Sequence, residues 1–216
     1  MRVALLHTGA VVIPTFQALT KEHWGSTEVL NLLDDKIVGD LRSPERSGSV
    51  PERLAALGKV AAALGAEAVV LTCSSVSGLA GDIAAAAGIP VLRIDEAMAD
   101  EAARIGGRIG VVATLSTTLD PSVALIRERM LLANVDAEID AVVVDGAFDA
   151  VVAGDRATHD RLVQESIRAL AARGASVVVL AQGSMVSAAE GADVSVPVLS
   201  SPASGVRRAA EQLGLH

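Results

Sequence analysis

The sequence holds a single cysteine, Cys73, placed where the apolar run Ala68–Leu71 gives way to Thr72-Cys73-Ser74-Ser75. A thiol that follows a strand and opens a helix lies among backbone N–H donors. Such surroundings lower a thiol pKa from about 8.5 to between ~3.5 and 7.5. The expectation is a thiolate available at neutral pH, able to act as a base or a nucleophile. Free cysteine is also commonly a small buried hydrophobe, but the flanking Thr72, Ser74 and Ser75 favour the reactive reading. A lone cysteine excludes an intrachain disulfide and fits a reducing compartment, so a cytoplasmic location is expected.

Three further polar turns follow apolar runs: His7-Thr8-Gly9, Thr114-Leu115-Ser116-Thr117-Thr118 and Gln182-Gly183-Ser184. In open parallel sheets, ligands bind beyond the carboxyl ends of the strands, where turns present N–H groups and helix starts. Ser and Thr are ordinary helix caps when taken singly. Together the turns describe a neutral, donor-rich pocket suited to the carboxylate of a small substrate. His7 is a second titratable candidate because it ends the first strand just before Thr8. Arg93 follows the fourth strand and is a candidate substrate contact, whereas Asp95 reads as a helix cap. His159, in the helix-forming segment GDRATHDRL, reads as a surface residue.

The elements that must carry these turns are short β-branched strands alternating with Ala-rich helices, the pattern of βαβ units. Strands are expected at Val3–Leu6, Glu28–Leu33, Ala68–Leu71, Pro90–Arg93, Ile109–Ala113, Glu138–Val144, Val177–Leu180 and Pro197–Leu199. Leu64-Gly65 and Ala87-Gly88 read as helix ends, and Arg42–Pro51 reads as a loop. The segment GAEAVVLTCSSVSGLAG from Gly65 is repeated as GASVVVLAQGSMVSAAEG from Gly174, which aligns Cys73 with Gln182. RVALLHT from Arg2 matches RIGVVAT from Arg108, aligning Thr8 with Thr114. The repeat predicts an α/β protein of two pseudo-symmetric lobes, each a mainly parallel sheet flanked by helices.

Composition narrows the partners. Apolar residues make up 51% and charged residues 20%, which is enough for a sizeable core. A net charge of −8 opposes phosphate-backbone binding, and two Phe, one Trp and no Tyr leave little for bases to stack on. Nucleic acid is therefore not expected as a partner. The N-terminus reads as a strand and lacks a cleavage signal. No apolar run reaches the length of a membrane span, so no membrane association is expected. Nucleotide fingerprints and metal-ligand spacings are absent, so neither a metal nor a cofactor is expected.

The motifs HTGAVVIP from His7, VVLTCSS around Cys73, GVVATLSTT from Gly110 and VVVLAQGSM around Gln182 resemble those of the aspartate/glutamate racemase superfamily. That superfamily includes amino-acid racemases, hydantoin racemases, maleate isomerases and arylmalonate decarboxylases, and the likeness covers nearly the whole chain. The resemblance implies a first lobe of residues 1–95 plus about 200–216, a second of 96–200, and an active site in the cleft between them. In the family a cysteine from each lobe faces the substrate α-carbon; one removes a proton and the other returns one. Cys73 matches the first thiol, with Ser74 and Ser75 as carboxylate contacts. Thr8, Ser116, Thr117 and Thr118 resemble the remaining polar lining, and Thr114, Gly183 and Ser184 are further candidate substrate contacts from the polar turns.

Where the second cysteine would stand, this sequence has Gln182, which hydrogen-bonds but does not titrate. The implied activity is a cofactor-independent, isomerase-like reaction next to a carboxylate through one thiol. A single-thiol decarboxylase or lyase is the alternative, with thiolate addition and cis-trans isomerisation as another route. The family's decarboxylases keep their thiol in the second lobe, opposite to the arrangement here. A non-catalytic small-anion binding protein is a further reading. The resemblance also suggests a homodimer.

Overall fold

A computed structural model of the protein describes residues 1–215; residue 216, the end of the segment expected in the first lobe, lies outside the described residues. The chain divides into two compact units, Met1–Asp95 with the segment from Pro202 onward, and Glu96–Ser201.

The first unit is built from β1 (Arg2–His7), α1 (Ile13–His23), β2 (Glu28–Leu33), α2 (Ile37–Leu41), α3 (Val50–Ala63), β3 (Ala68–Leu71), α4 (Ala80–Ala87) and β4 (Val91–Arg93). The four strands are parallel in the order β2-β1-β3-β4. All four residues of β3 are buried, as expected for a central strand covered on both faces. Alternation along the strands divides the core into two layers. Ala4, Leu6, Val69 and Leu71 pack with Leu54, Ala61 and Ile83 of α3 and α4. Val3, Leu5 and Val70 pack with Phe16, Trp24 and Val206. Val206 belongs to α10 (Ser201–Leu213), which returns to this sheet; the Trp24 indole N–H donates to the Val206 carbonyl at 2.9 Å.

The second unit repeats the plan with α5 (Glu96–Ile105), β5 (Arg108–Ala113), α6 (Ser116–Ala133), β6 (Glu138–Val143), α7 (Ala147–Val152), α8 (Arg156–Ala172), β7 (Val177–Leu180), α9 (Val186–Glu190) and β8 (Val198–Ser200). Its parallel order, β6-β5-β7-β8, is the same permutation as in the first unit. Ile109, Val111 and Ala113 face α5 and α6, while Val112, Val178 and Leu180 face α8.

Every strand read from the sequence is present, with ends that differ by a residue or so. The Arg42–Pro51 segment is corrected. Ser47–Ser49 forms a 3₁₀ turn, and α3 already begins at Val50 with Pro51 in its first turn. A first-turn proline loses no intrahelical bond, so this Pro opens the helix rather than extending a loop. The expected glycine ends do occur: Gly88 caps α4 with φ 71°. Among the described residues, no helix is long and apolar enough to cross a membrane.

Candidate functional site

In the first unit the chain leaves β3 at Leu71, and the Thr72 N–H donates to the Leu6 carbonyl at 3.1 Å. Cys73 is extended (φ −127°, ψ 117°) and caps a 3₁₀ turn over Ser74–Leu79. The Thr8 hydroxyl and the N–H and hydroxyl of Ser75 act on the sulfur as hydrogen-bond partners that favour thiolate. Thr8 and Ser74 are buried, while Cys73 keeps part of its surface exposed. The parallel register pairs Leu71 with Arg93, and the Ile94 N–H donates to the Leu71 carbonyl at 3.1 Å. Asp95 lies two residues beyond that pair, with the Ser74 and Ser77 hydroxyls acting on its carboxylate.

Burial pushes the Cys73 thiol above its ordinary range, outweighing Thr8 and Ser75, and the Asp95 charge adds to the rise. The expected lowering is therefore corrected. A short 3₁₀ turn does not offset the desolvation of sulfur, and a neighbouring carboxylate disfavours a second negative charge. Asp95 does not serve as the expected helix cap. It is 0% exposed, and neither carboxylate oxygen completes a hydrogen bond. Burial raises its pKa, opposed by the nearby hydroxyls of Ser74 and Ser77 and by the charge of Arg93.

His7 is fully buried and engaged at both nitrogens, with Nε2 3.0 Å from Asn31 Oδ1 and Nδ1 2.9 Å from the Thr72 hydroxyl. Burial lowers its pKa. It links β1 to β2 and to the Cys73 turn rather than presenting a free base.

In the second unit Gln182 occupies the backbone position of Cys73. It is extended (φ −134°, ψ 137°), caps the 3₁₀ turn Gly183–Met185, and follows Ala181, whose N–H donates to the Val112 carbonyl at 2.9 Å. Its Oε1 accepts the Thr114 N–H at 2.6 Å and the Thr114 hydroxyl at 3.0 Å. Thr114 and Gln182 are thus brought together, with Gly183 and Ser184 in the same turn. Ser116, Thr117 and Thr118 form the start of α6; Ser116 is exposed, Thr118 is buried, and the Thr117 hydroxyl is buried without a partner.

The expectation that His159 lies on the surface is overturned. It is 0% exposed, with Nδ1 2.7 Å from Asp160 Oδ1 and a buried, unpartnered Nε2. His159 shares an α8 stripe with Val163, Ile167 and Leu170, all buried, and that spacing was visible in the sequence. Sequence reasoning missed Ser77 and Asn31. It also missed Arg156, which donates to the Ser184 carbonyl at 2.7 Å. No motif marks these three; only the strand register and the helix phase identify them.

The repeat is unequal in its polar content. The register equates His7, Asn31 and Thr72 with Ala113, Ala141 and Ala181, so the His7 network has no second-unit counterpart.

Comparison with known proteins gives the same architecture. The profile of the family described as Asp/Glu/Hydantoin racemase matches residues 7–209. No curated protein matches the sequence. Among solved structures, allantoin racemase from Klebsiella pneumoniae is similar at 22% identity and TM-score 0.70, covering 100% of this chain and 89% of that one. Glutamate racemase from Francisella tularensis in complex with D-glutamate is similar at 13% identity and TM-score 0.77, covering 99% and 81%. An arylmalonate decarboxylase variant in a sulfate-associated form is similar at 20% identity and TM-score 0.66, covering 99% and 94%. At these identities the structural likeness is one of fold.

Proposed function

The chain belongs to the Asp/Glu/hydantoin racemase family, and from that premise we propose that it is a cofactor-independent, isomerase-like enzyme acting at the carbon next to the carboxylate of a small organic or amino acid, with Cys73 as its one reacting thiol. The observation that carries this reading is the half-buried Cys73 at the carboxyl end of β3, with Thr8 and Ser75 acting on its sulfur and Ser74 beside it. In proton abstraction the thiolate takes the α-hydrogen as a proton. The C–H electron pair then moves into an enediolate, whose oxygens need fixed donors. Thr8, Ser74 and Ser75 are assigned as such donors, with Thr114, Ser116, Thr117, Thr118, Gly183 and Ser184 as further substrate contacts and Arg93 as a nearby positive charge. The Gln182 carbonyl oxygen is already occupied by Thr114, which leaves its amide N–H groups to donate.

One observation favours a second reading, a single-thiol decarboxylase or lyase. Burial and Asp95 favour the protonated thiol, and a thiol is a proton donor. In that reaction the bond to a carboxylate breaks, carbon dioxide leaves, the electron pair stays on carbon, and the Cys73 proton is transferred there. Both readings require the sulfur. Alkylation with iodoacetamide is expected to abolish turnover of small carboxylic and amino acids, while Cys73→Ala still binds a small carboxylate by calorimetry. Turnover that survives complete alkylation overturns the proposal.

A further inference from the structure

Gln182 follows β7 at the position that Cys73 holds after β3, and its side chain is held in one orientation. The Thr114 N–H donates to Oε1 at 2.6 Å and the Thr114 hydroxyl at 3.0 Å, so both lone pairs of that oxygen are engaged. The flipped amide would set its own N–H groups against a backbone N–H, donor against donor, so the oxygen must face Thr114. Thr114 is only 4% exposed, which keeps water from competing for the pair. Among the described residues none accepts from Nε2, and Gln182 is half-buried rather than sealed, so its two N–H groups remain for a ligand. We infer that Gln182 is a specificity-determining residue: locked by Thr114 as a donor only, it takes an acceptor oxygen of the ligand, carbonyl or carboxylate, and turns away an ammonium.

A free glutamine side chain can rotate to offer either its oxygen or its nitrogen, and so discriminates poorly. Here the oxygen is spent inside the fold. An acceptor oxygen on the ligand completes the remaining N–H groups, whereas an ammonium has donors alone and would leave donors unpaired on both sides. Fixed donors also bind more tightly than mobile ones, because the fold has already ordered them. The turn that carries Gln182 is pinned to α8 at two further points. Arg156 donates to the Ser184 carbonyl at 2.7 Å, and the Ser187 hydroxyl of α9 donates to Asp160 Oδ1 at 3.0 Å. The same Asp160 oxygen lies 2.7 Å from Nδ1 of His159, which is 0% exposed, so this anchor reaches the core of the unit.

The inference rests on the reading that this turn lines the substrate site, but it is tested by binding without turnover, so the two can fail separately. Calorimetry compares levulinate, succinate, valerate and γ-aminobutyrate, acids whose far end carries a ketone, a carboxylate, no polar group and an ammonium. Levulinate is decisive because its ketone is uncharged. The wild-type protein is expected to bind it at least about tenfold more tightly than valerate, and γ-aminobutyrate no more tightly than valerate. Succinate against levulinate then identifies the oxygen as a carboxylate's or a carbonyl's. Gln182→Leu, shown to be folded by circular dichroism, is expected to lose the preference for levulinate. Gln182→Glu keeps an oxygen for Thr114 but presents an acceptor in place of the N–H groups, and is expected to favour γ-aminobutyrate over levulinate. Wild-type protein that binds levulinate no better than valerate, or binds no probe, overturns the inference, as does a folded Gln182→Glu that retains the levulinate preference. Turnover that survives alkylation while these preferences hold strikes the thiol reading and leaves this inference standing.

Discussion

His7 illustrates how a titratable side chain is withdrawn from chemistry by its neighbours. Asn31 and the Thr72 hydroxyl occupy its two nitrogens, and burial keeps the ring neutral. Its lowered folded pKa fixes a stability dependence. Below the ordinary value of 6.5 the unfolded chain takes up a proton that the folded chain resists. Stability from this residue is thus full above that value and is lost as pH falls below it. Thermal melts between pH 7 and 5 should show a steeper loss for the wild-type protein than for His7→Gln; parallel curves would contradict this account. Cys73 is legible as the candidate reacting residue because it is the lone thiol after a strand. Its raised pKa is not legible, since its main cause is burial of the thiol by the surrounding fold, which no local motif reports.

Elements were the most legible level, because hydrophobic runs and their helix-ending glycines depend on local sequence. The eight strands follow from Val- and Ala-rich runs such as AVVL and VVVL. Pro51 misled because the same residue that breaks a helix interior is favoured in its first turn. His159 misled because a polar residue on a buried stripe looks, by type alone, like a surface one. Close packing between elements is carried by particular glycines. A Cβ at Gly205 of α10 would run into the Ile94 carbonyl oxygen, whereas one at Gly81 of α4 meets nothing within 4 Å. Gly205→Ala is expected to lower the unfolding free energy by about 1–3 kcal/mol. Gly81→Ala is expected to leave it unchanged or raise it by up to about 1 kcal/mol. Denaturant midpoints decide, and equal effects at the two sites would refute this packing argument.

At the scale of the whole molecule, the two units carry equivalent turns with unequal residues. Cys73 and Gln182 share an extended backbone and a following 3₁₀ turn. One keeps a titratable thiol; the other keeps an amide bound to Thr114. A lone thiol working from one face returns a hydron to the face it left, which gives exchange without inversion. Gln182→Cys is therefore expected to add racemisation to exchange, measured by chiral chromatography of the recovered acid. A variant that exchanges but never inverts would argue against the pseudo-symmetric assignment. The repeat and the unequal pair were legible in the sequence. The pairing of Gln182 with Thr114 was not, because a side-chain amide has several partners within reach and only the coordinates select one.

The most direct test of the account is incubation of the wild-type protein and Cys73→Ala in deuterium oxide with a panel of small amino acids, α-aryl acids and malonates, followed by mass spectrometry and proton NMR. The account predicts deuterium at the carbon next to the carboxylate, by exchange or in a decarboxylated product, with the wild-type protein and not with Cys73→Ala. Deuterium that enters equally with both proteins, or with neither, contradicts it.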